Sequence, residues 1–244
     1  MDSKIIIQFD HVSKVYGKNA VLDDFNFDID KGEFLTVIGS SGSGKTTMLK
    51  MINGLLAPTK GIIYVDGKDI SKENQTLLRR NIGYVIQGIG LFPHMSVRKN
   101  IAYVPELLNK RDKRGTACAV ERLIKVVGLD EEMLDRYPAE LSGGQRQRVG
   151  IARSLAANPK ILLMDEPFGA VDEITRKLLQ TEIARIHREL SVTIVFITHD
   201  IKEALKLGTR VLVMSNGKIE QTGTSAEIRN APATDFVREL VAGV

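Results

Sequence analysis

The residues from Gly39 to Thr47 read GSSGSGKTT and follow the apolar run from Phe34 to Ile38. Their spacing fits G-x-x-x-x-G-K-[ST], a glycine-rich loop that leads from a strand into a helix. Glycines let backbone N–H groups curl around phosphate oxygens, while the lysine and the hydroxyl contact the terminal phosphates and Mg²⁺. We therefore predict a nucleotide triphosphate site in this segment, called the phosphate loop below, in preference to a plain Gly/Ser-rich turn.

Every residue of the phosphate loop is a candidate phosphate ligand, and two of them have an additional role. Lys45 can reach the β- and γ-phosphates, and Thr46 can offer its hydroxyl to Mg²⁺. The candidate ligands are Gly39, Ser40, Ser41, Gly42, Ser43, Gly44, Lys45, Thr46 and Thr47.

A second group of candidate residues ends the apolar run from Ile161 to Met164, which predicts a buried strand. Beside a phosphate loop, the strand-terminal Asp165 can hold Mg²⁺, usually through water. Glu166, one residue later, can polarise a water that attacks the γ-phosphate. Two acids after an apolar run are weak evidence alone, but together with the phosphate loop they favour hydrolysis.

The segment LSGGQ, from Leu141 to Gln145, predicts the start of a helix. Ser142 is a good N-cap, and Gln145 three residues later completes a capping box. Gly143 and Gly144 in the first turn cost roughly 1 kcal/mol each relative to alanine. Their presence is explained if the exposed N–H groups and the Ser142 hydroxyl approach a phosphate. We therefore predict a second anion site, which the nucleotide in the chain's own phosphate loop is not expected to share.

The elements around these motifs predict an α/β fold. Continuous apolar runs, such as Phe34–Ile38 and Val192–Ile197, are typical of a parallel sheet covered on both faces. Alternating residues before the phosphate loop, and the Asp66–Gly67 turn, indicate antiparallel strands. Between about 88 and 158 the pattern is mainly helical. We predict a P-loop NTPase core with a mostly parallel sheet, an N-terminal antiparallel β sub-domain and a helical sub-domain that carries LSGGQ.

Several helices are predicted from periodicity. A helix from Glu173 to Leu190 is expected to be amphipathic and core-packed, and a short helix from Asp235 to Val241 closes the chain. The residues expected on the core face of the first of these are Ile174, Leu178, Ile183 and Ile186. The helices expected in the insert are Val97–Leu108, Gly115–Val127 and Gly143–Ala157.

Composition limits the classes of function. The 244-residue chain has a net charge of +4 with dispersed basic residues, so we expect no nucleic-acid partner. Cys118 is its only cysteine, which excludes an intrachain disulfide. No run approaches the length of a membrane span. We expect a soluble chain, so any membrane-crossing partner must be a different protein.

The order of GSSGSGKT, LSGGQ and ILLMDE resembles the ATP-binding cassette (ABC) family, and the resemblance covers essentially the whole chain, residues 1–244. It implies a nucleotide-binding domain that hydrolyses ATP with Mg²⁺. It also implies a head-to-tail dimer, in which the LSGGQ of one copy closes over the ATP held by the phosphate loop of the other. The residues that would contact that ATP are Ser142, Gly143, Gly144 and Gln145.

The resemblance assigns roles to four further residues. It implies that Tyr16 stacks on adenine and that Asp172 lies in a loop crossing the dimer interface. Gln87 would contact Mg²⁺ and relay the nucleotide state to a transmembrane partner, and His199 would contact the γ-phosphate. The implied catalytic set is Lys45, Gln87, Glu166 and His199, and the implied metal ligands are Thr46, Gln87 and Asp165.

A narrower resemblance concerns IGYVIQGIGLFPHMSVRKNIAYVPELL and MDEPFGAVDEITR. These segments are similar to ATPase subunits of importers for glycine betaine, choline and carnitine, a circle of quaternary amines that includes ergothioneine. This implies permease partners, an indirect solute-binding protein and a position at the cytoplasmic face of the membrane. Many members carry C-terminal CBS modules; this sequence ends at Val244, and we expect none in this chain.

Two alternatives remain open. One is a soluble ABC ATPase that acts on DNA or ribosomes, against which the short gap from Thr47 to Leu141 and the single cassette argue. The other is a non-transport membrane ATPase that acts on lipoprotein or division complexes.

Overall fold

The computed structural model describes residues 4–86, 90–169 and 171–242. The chain divides into two compact units. Residues 1–79 and 191–244 form the first, and residues 80–190 form the second. In the described ranges, no helix combines the length and the apolar character that a membrane span requires.

Two long strands begin the described fold, and from β3 onward strands and helices are interspersed. The strands are β1 Ile5–Tyr16, β2 Asn19–Asp30, β3 Phe34–Gly39, β4 Lys60–Val65, β5 Lys68–Asp69, β6 Ile82–Val85, β7 Ile161–Asp165, β8 Thr193–Ile197, β9 Arg210–Ser215 and β10 Lys218–Gly223. The helices are α1 Lys45–Ile52, α2 Gln75–Arg80, α3 Val97–Leu108, α4 Lys113–Val126, α5 Gly143–Leu155, α6 Glu173–Leu190, α7 Ile201–Leu207, α8 Ser225–Asn230 and α9 Asp235–Val241. Short 3₁₀ segments lie at Glu131–Asp135 and Pro138–Glu140.

The first unit contains an antiparallel sheet of order β2-β1-β4-β5. Register shifts in the β1–β2 pairing follow Phe9 and Val12, where the strands bulge. One face buries aromatic rings, with Phe9 and Phe25 edge to face at a centroid distance of 5.2 Å. The prediction of an N-terminal antiparallel sub-domain is confirmed.

The same unit contains the strands β10, β9, β3 and β8 in adjacent order. β3 is parallel to both β8 and β9, and only β10 runs antiparallel to its neighbour. β8 is buried along its whole length, as expected for a parallel strand covered on both faces. On one face of these strands, α7, α8 and α9 contribute to a hydrophobic core that includes Ala204, Ile228 and Val237.

The second unit contains the parallel pair β6–β7 and the helices α3 to α6. α3, α5 and α6 begin where the sequence predicts them, and α4 begins at Lys113, two residues earlier than expected. The cap explains that start, because the Asp112 side chain accepts the Gly115 N–H. With β6–β7 parallel as well, the prediction of a mostly parallel sheet is confirmed.

The predicted core face of α6 is wrong in its first half. Ile183 and Ile186 are buried as expected, but Ile174 is 82% exposed and Leu178 is 49% exposed. The reason is geometric: nine residues are two and a half turns, so Ile174 lies about 180° around the helix from Ile183. Leu179 and Gln180 complete the buried face instead.

Candidate functional site

The phosphate loop connects β3 to α1 in the first unit. Gly39, Gly42 and Gly44 have φ values of 147°, 77° and 95°, which favour glycine. A Cβ on Gly39 would lie 1.8 Å from the Met214 carbonyl oxygen, and one on Gly44 would lie 2.8 Å from that of Val21. Backbone atoms cannot move aside cheaply, so two of the loop's glycines are required by both conformation and space.

The Lys45 ammonium lies within the phosphate loop. Its Nζ donates to the carbonyl oxygens of Gly39 at 3.0 Å and Ser40 at 2.7 Å, and to Ser43 Oγ at 3.3 Å. Helix α1 begins at Lys45, and its N-cap Gly44 supplies no side-chain cap. A cation and the positive end of a helix therefore meet in one loop, an arrangement suited to binding an anion.

The remaining residues of the loop differ in exposure. Ser43 is buried, and its N–H donates to the Ser40 carbonyl at 3.2 Å, which tightens the turn. Ser41 and Gly42 are exposed at the tip, and Thr46 and Thr47 are half-buried in the first turn of α1.

His199 lies at the same sheet edge as the start of the phosphate loop. β3 and β8 are parallel neighbours in which Val37 pairs with Ile197, and the Thr198 N–H donates to the Val37 carbonyl at 3.2 Å. Gly39 and His199 each follow that pair by two residues, and His199 is exposed. Carboxyl edges of parallel strands gather ligand-binding residues, so His199 lies on the edge from which the loop projects.

Tyr16 ends β1 in the first unit and is 48% exposed. The Lys14 ammonium lies 5.1 Å from its ring centroid. An exposed ring with a cation on it offers a stacking surface for a base, and the predicted adenine contact stays a prediction.

Asp165 and Glu166 lie in the second unit at the end of β7. Asp165 is 2% exposed, and the neighbouring strand β6 carries Tyr84. Burial, and secondarily the Asp165 carboxylate, raise the pKa of Tyr84 to about 12. Tyr84 carried no signal in the sequence patterns.

The backbone of Glu166 is left-handed, with φ of 47°. For a residue with a side chain this conformation costs about 1–2 kcal/mol, and it is concentrated at functional sites. The Gly169 N–H donates to the Glu166 carbonyl at 3.3 Å, which closes a turn directly after β7. The predicted Gln87 lies outside the described residues.

The LSGGQ segment begins α5, called the signature helix below. The Gln145 N–H donates to Ser142 Oγ at 3.2 Å, and the Ser142 N–H donates to Gln145 Oε1 at 2.8 Å, so the predicted capping box is present. Ser142 is exposed, and Gly143 and Gly144 are half-buried. A Cβ on Gly143 would meet no atom within 4 Å. This chain's own packing therefore does not require glycine at that position.

Asp172 is exposed and caps the start of α6. Its carboxylate accepts the Thr175 N–H at 3.0 Å. That bond, the Thr175 side chain and the nearby Arg148 guanidinium hold the pKa of Asp172 below its usual range. Arg148 lies on the signature helix, three residues after Gln145, and donates to the Gly128 carbonyl at 2.7 Å. The helical spacing from Gln145 is the sequence signal that indicates Arg148.

No three carboxylate, imidazole or thiol groups form a metal-holding cluster in residues 4–86, 90–169 and 171–242. Mg²⁺ in phosphoryl-transfer sites is commonly held by one or two protein groups together with substrate phosphates, which needs no such cluster. The predicted ligands Thr46 and Asp165 are a hydroxyl and a carboxylate, both oxygen donors that suit this hard cation.

Comparison with known families identifies a match over most of the chain. A family model described as ABC transporter matches residues 22–169, more than half of the sequence.

Curated relatives cover nearly the whole chain. The carnitine transport ATP-binding protein OpuCA of Listeria monocytogenes is 52% identical over 97% of this chain and 59% of its own length. The glycine betaine/carnitine/choline transport ATP-binding protein OpuCA of Bacillus subtilis is 51% identical over 97% of this chain and 62% of its own. The glycine betaine uptake system ATP-binding protein YehX of Escherichia coli is 48% identical over 96% of this chain and 76% of its own length. The chain thus spans only about three fifths of the first two relatives.

Solved structures of the ATP-binding cassette MJ0796 have a similar fold. A dimeric post-hydrolysis structure bound to ADP and Pi matches with a TM-score of 0.83 and 32% identity over 90% of this chain and 99% of that one. A second dimeric structure matches with a TM-score of 0.84 and 34% identity over the same shares.

Proposed function

Because the chain belongs to the ABC transporter family, we propose that it is the ATP-hydrolysing subunit of an importer for a small solute. The observation that carries the proposal is the phosphate loop. Gly39 and Gly44 have no room for a Cβ, and the Lys45 ammonium lies among the loop's oxygens. This loop binds the triphosphate of ATP.

The chain's own residues perform three tasks in hydrolysis. The phosphate loop and Lys45 hold the β- and γ-phosphates and offset negative charge in the transition state. Glu166, held by a left-handed turn at the end of β7, polarises the attacking water. His199 contacts the γ-phosphate from the carboxyl edge beside Gly39. Mg²⁺, held by Thr46 and Asp165 together with Gln87, supplies positive charge to the phosphates when bound.

A second copy of the chain completes the site. The amino end of the signature helix is exposed, has two glycines and is not crowded by this chain's own atoms at Gly143. It therefore leaves room for the γ-phosphate of an ATP bound to the partner's phosphate loop. Asp172, exposed at the start of α6, lies in the same interface. ATP closes the two copies head to tail, and hydrolysis reopens them.

Permease subunits are the membrane partners, and the chain is a peripheral subunit at the cytoplasmic face. The docking surface is built on the helical part of the second unit, which follows Gln87 in sequence. There the rings of Phe92 and Tyr103 lie 4.7 Å apart, next to a cavity of about 450 Å³ between α3 and α4. A short helix of the permease fits such a groove.

The transported solute is a quaternary amine such as glycine betaine, choline or carnitine, or a related betaine such as ergothioneine. The support is the names of the relatives, which are described as carnitine, choline and glycine betaine transport proteins. The solute itself is selected by the binding protein and the permease. A ligand screen of the cognate binding protein would identify it.

The test of the ATPase assignment is Glu166→Gln, which keeps the side chain's size but removes the base. We expect phosphate release to fall strongly while ATP affinity is kept. Normal turnover in this variant would remove Glu166 from its role. Hydrolysis stimulated by nucleic acid, in a chain that copurifies with no membrane protein, would instead favour a soluble ABC ATPase.

A further inference from the structure

Arg153 lies in the last turn of the signature helix, whose amino end is Ser142. Ten residues of helix separate Gly143 from Arg153, a distance of about 15 Å. The side chain is half-buried, and burial lowers the pKa of its guanidinium. In the part of the chain that the structure describes, no acidic group forms an ion pair with it. A buried cation of this kind is stabilised by other contacts.

Two contacts replace an ion pair for Arg153, and both are with residues that follow Gln87 in sequence. Arg153 Nη1 donates to the Gly90 carbonyl oxygen at 2.8 Å. The guanidinium carbon lies 5.5 Å from the centroid of the Phe92 ring, within cation–π range. A planar guanidinium can make both contacts at once, because it donates in its plane and stacks with its face.

The two residues that Arg153 contacts, Gly90 and Phe92, have further contacts of their own. The buried Asn100 side chain accepts the Phe92 N–H at 2.8 Å and donates to the Phe92 carbonyl at 3.1 Å. On the other side, a Cβ at Gly90 would lie 2.3 Å from Ile86 Cδ1, so Gly90 is packed against the end of β6. A displacement of Gly90 or Phe92 therefore reaches Arg153 directly, through the hydrogen bond and the ring contact.

We propose that Arg153 is a positioning residue that joins the segment following Gln87 to the signature helix. The inference rests on the proposed function, in which Gln87 responds to nucleotide and permease and Ser142 completes the partner's site. The helix transmits movement of Gly90 and Phe92 as a rigid element to Ser142. Arg153 thereby coordinates the two ends of the second unit, and it touches neither ATP nor water.

The test is a double-mutant cycle on kcat in the full chain. Arg153→Met keeps the apolar part of the side chain but removes the hydrogen bond to Gly90 and the cation over the Phe92 ring. We expect kcat to fall by about 10-fold. We also expect Gln87→Ala to lower kcat less in the Arg153→Met background than in the wild type, because both changes interrupt one connection. ATP affinity of the isolated chain stays unchanged. Arg153→Lys, which keeps the charge but not the planar fork, restores kcat only in part.

Two controls separate positioning from stability. Arg188→Met removes an exposed arginine of α6 in the same unit and should leave kcat unchanged. Phe92→Leu removes the ring but keeps the Gly90 hydrogen bond, and it replaces Arg153→Met in the cycle if that variant does not fold. If the effects on kcat of Gln87→Ala and of the Arg153 or Phe92 change multiply independently, this inference alone is overturned. A wild-type chain without hydrolysis, or normal kcat in Gln87→Ala, would overturn the proposed function and the inference with it.

Discussion

Ser142 and Gln145 hydrogen-bond each other in both directions, with N–H to side-chain oxygen distances of 3.2 and 2.8 Å. This capping box fixes the first turn of the signature helix without any other part of the chain. Gly143 is one of the two glycines between this bonded pair. It has no packing role within the chain, because a Cβ there would meet open space. In the proposed function, this fixed helix end receives the phosphate of the partner's nucleotide.

Gly143→Ala separates stability from activity. Because alanine favours helix by up to about 1 kcal/mol over glycine and its methyl would meet no atom of this chain, the free energy of unfolding should stay level or rise. Hydrolysis should fall, since the methyl would occupy space reserved for the partner's nucleotide. Denaturant unfolding and phosphate release measure the two effects. Unchanged hydrolysis would mean that no second copy approaches this turn.

Gly39→Ala and Gly42→Ala form a matched pair in the phosphate loop. The first should prevent stable folding, because its Cβ would lie 1.8 Å from the Met214 carbonyl oxygen. The second has a positive φ but open space, so it should cost only about 1–2 kcal/mol of backbone strain. Thermal unfolding of both variants measures the difference. Equal losses of stability would contradict the packing described here.

Tyr16→Ala should weaken ATP binding to the isolated chain. Stacking on a base contributes about 1–3 kcal/mol, which corresponds to about 5- to 150-fold in Kd. Tyr16→Phe should bind normally, because it keeps the ring. Tyr137 is equally exposed at 48% and lies in the other unit, so Tyr137→Ala serves as the control. Titration with a fluorescent ATP analogue gives each Kd, and equal Kd values in wild type and Tyr16→Ala would exclude adenine stacking.

Tyr84 should ionise late in an alkaline titration, since burial and the Asp165 charge raise its pKa to about 12. A raised pKa in the folded state favours the protonated form. Its contribution to stability is therefore complete below the ordinary value of about 10 and is lost as the pH rises toward about 12. Tyr84→Phe should leave the tyrosinate absorbance rise below about pH 11 unchanged. A smaller rise in that variant would show that Tyr84 already ionises there and would contradict its raised pKa.

Local signals in the sequence were sufficient for much of this structure. The helix from Val97 to Leu108 begins and ends as predicted, because the Ser96 cap and the apolar periodicity act over a few residues. The capping box at Ser142 followed from spacing alone. A comparable box of Thr224 and Glu227 begins α8, but the sequence interpretation did not use it and omitted that helix. The short α2 and α7 were also missed, since six or seven residues carry little periodicity.

Other features depend on contacts that no local pattern contains. The exposure of Ile174 is different, because helical spacing alone places it about 180° around α6 from the buried Ile183. Arg153 binds Gly90, which is 63 residues away along the chain, so its partner became visible only in three dimensions. The pKa shift of Tyr84 likewise arises from burial in the fold and from Asp165, which is distant in sequence.

The central claim is that two copies of the chain share one ATP site, and the mass of the Glu166→Gln chain in solution tests it most directly. With ATP and Mg²⁺, light scattering after size exclusion should give about twice the 27.0 kDa of the single chain. Adding Ser142→Arg to the same chain should return the mass to 27.0 kDa while ATP remains bound, because the arginine blocks only the partner's site. A Glu166→Gln chain that binds ATP and stays monomeric, or a dimer that persists with Ser142→Arg, would contradict the account.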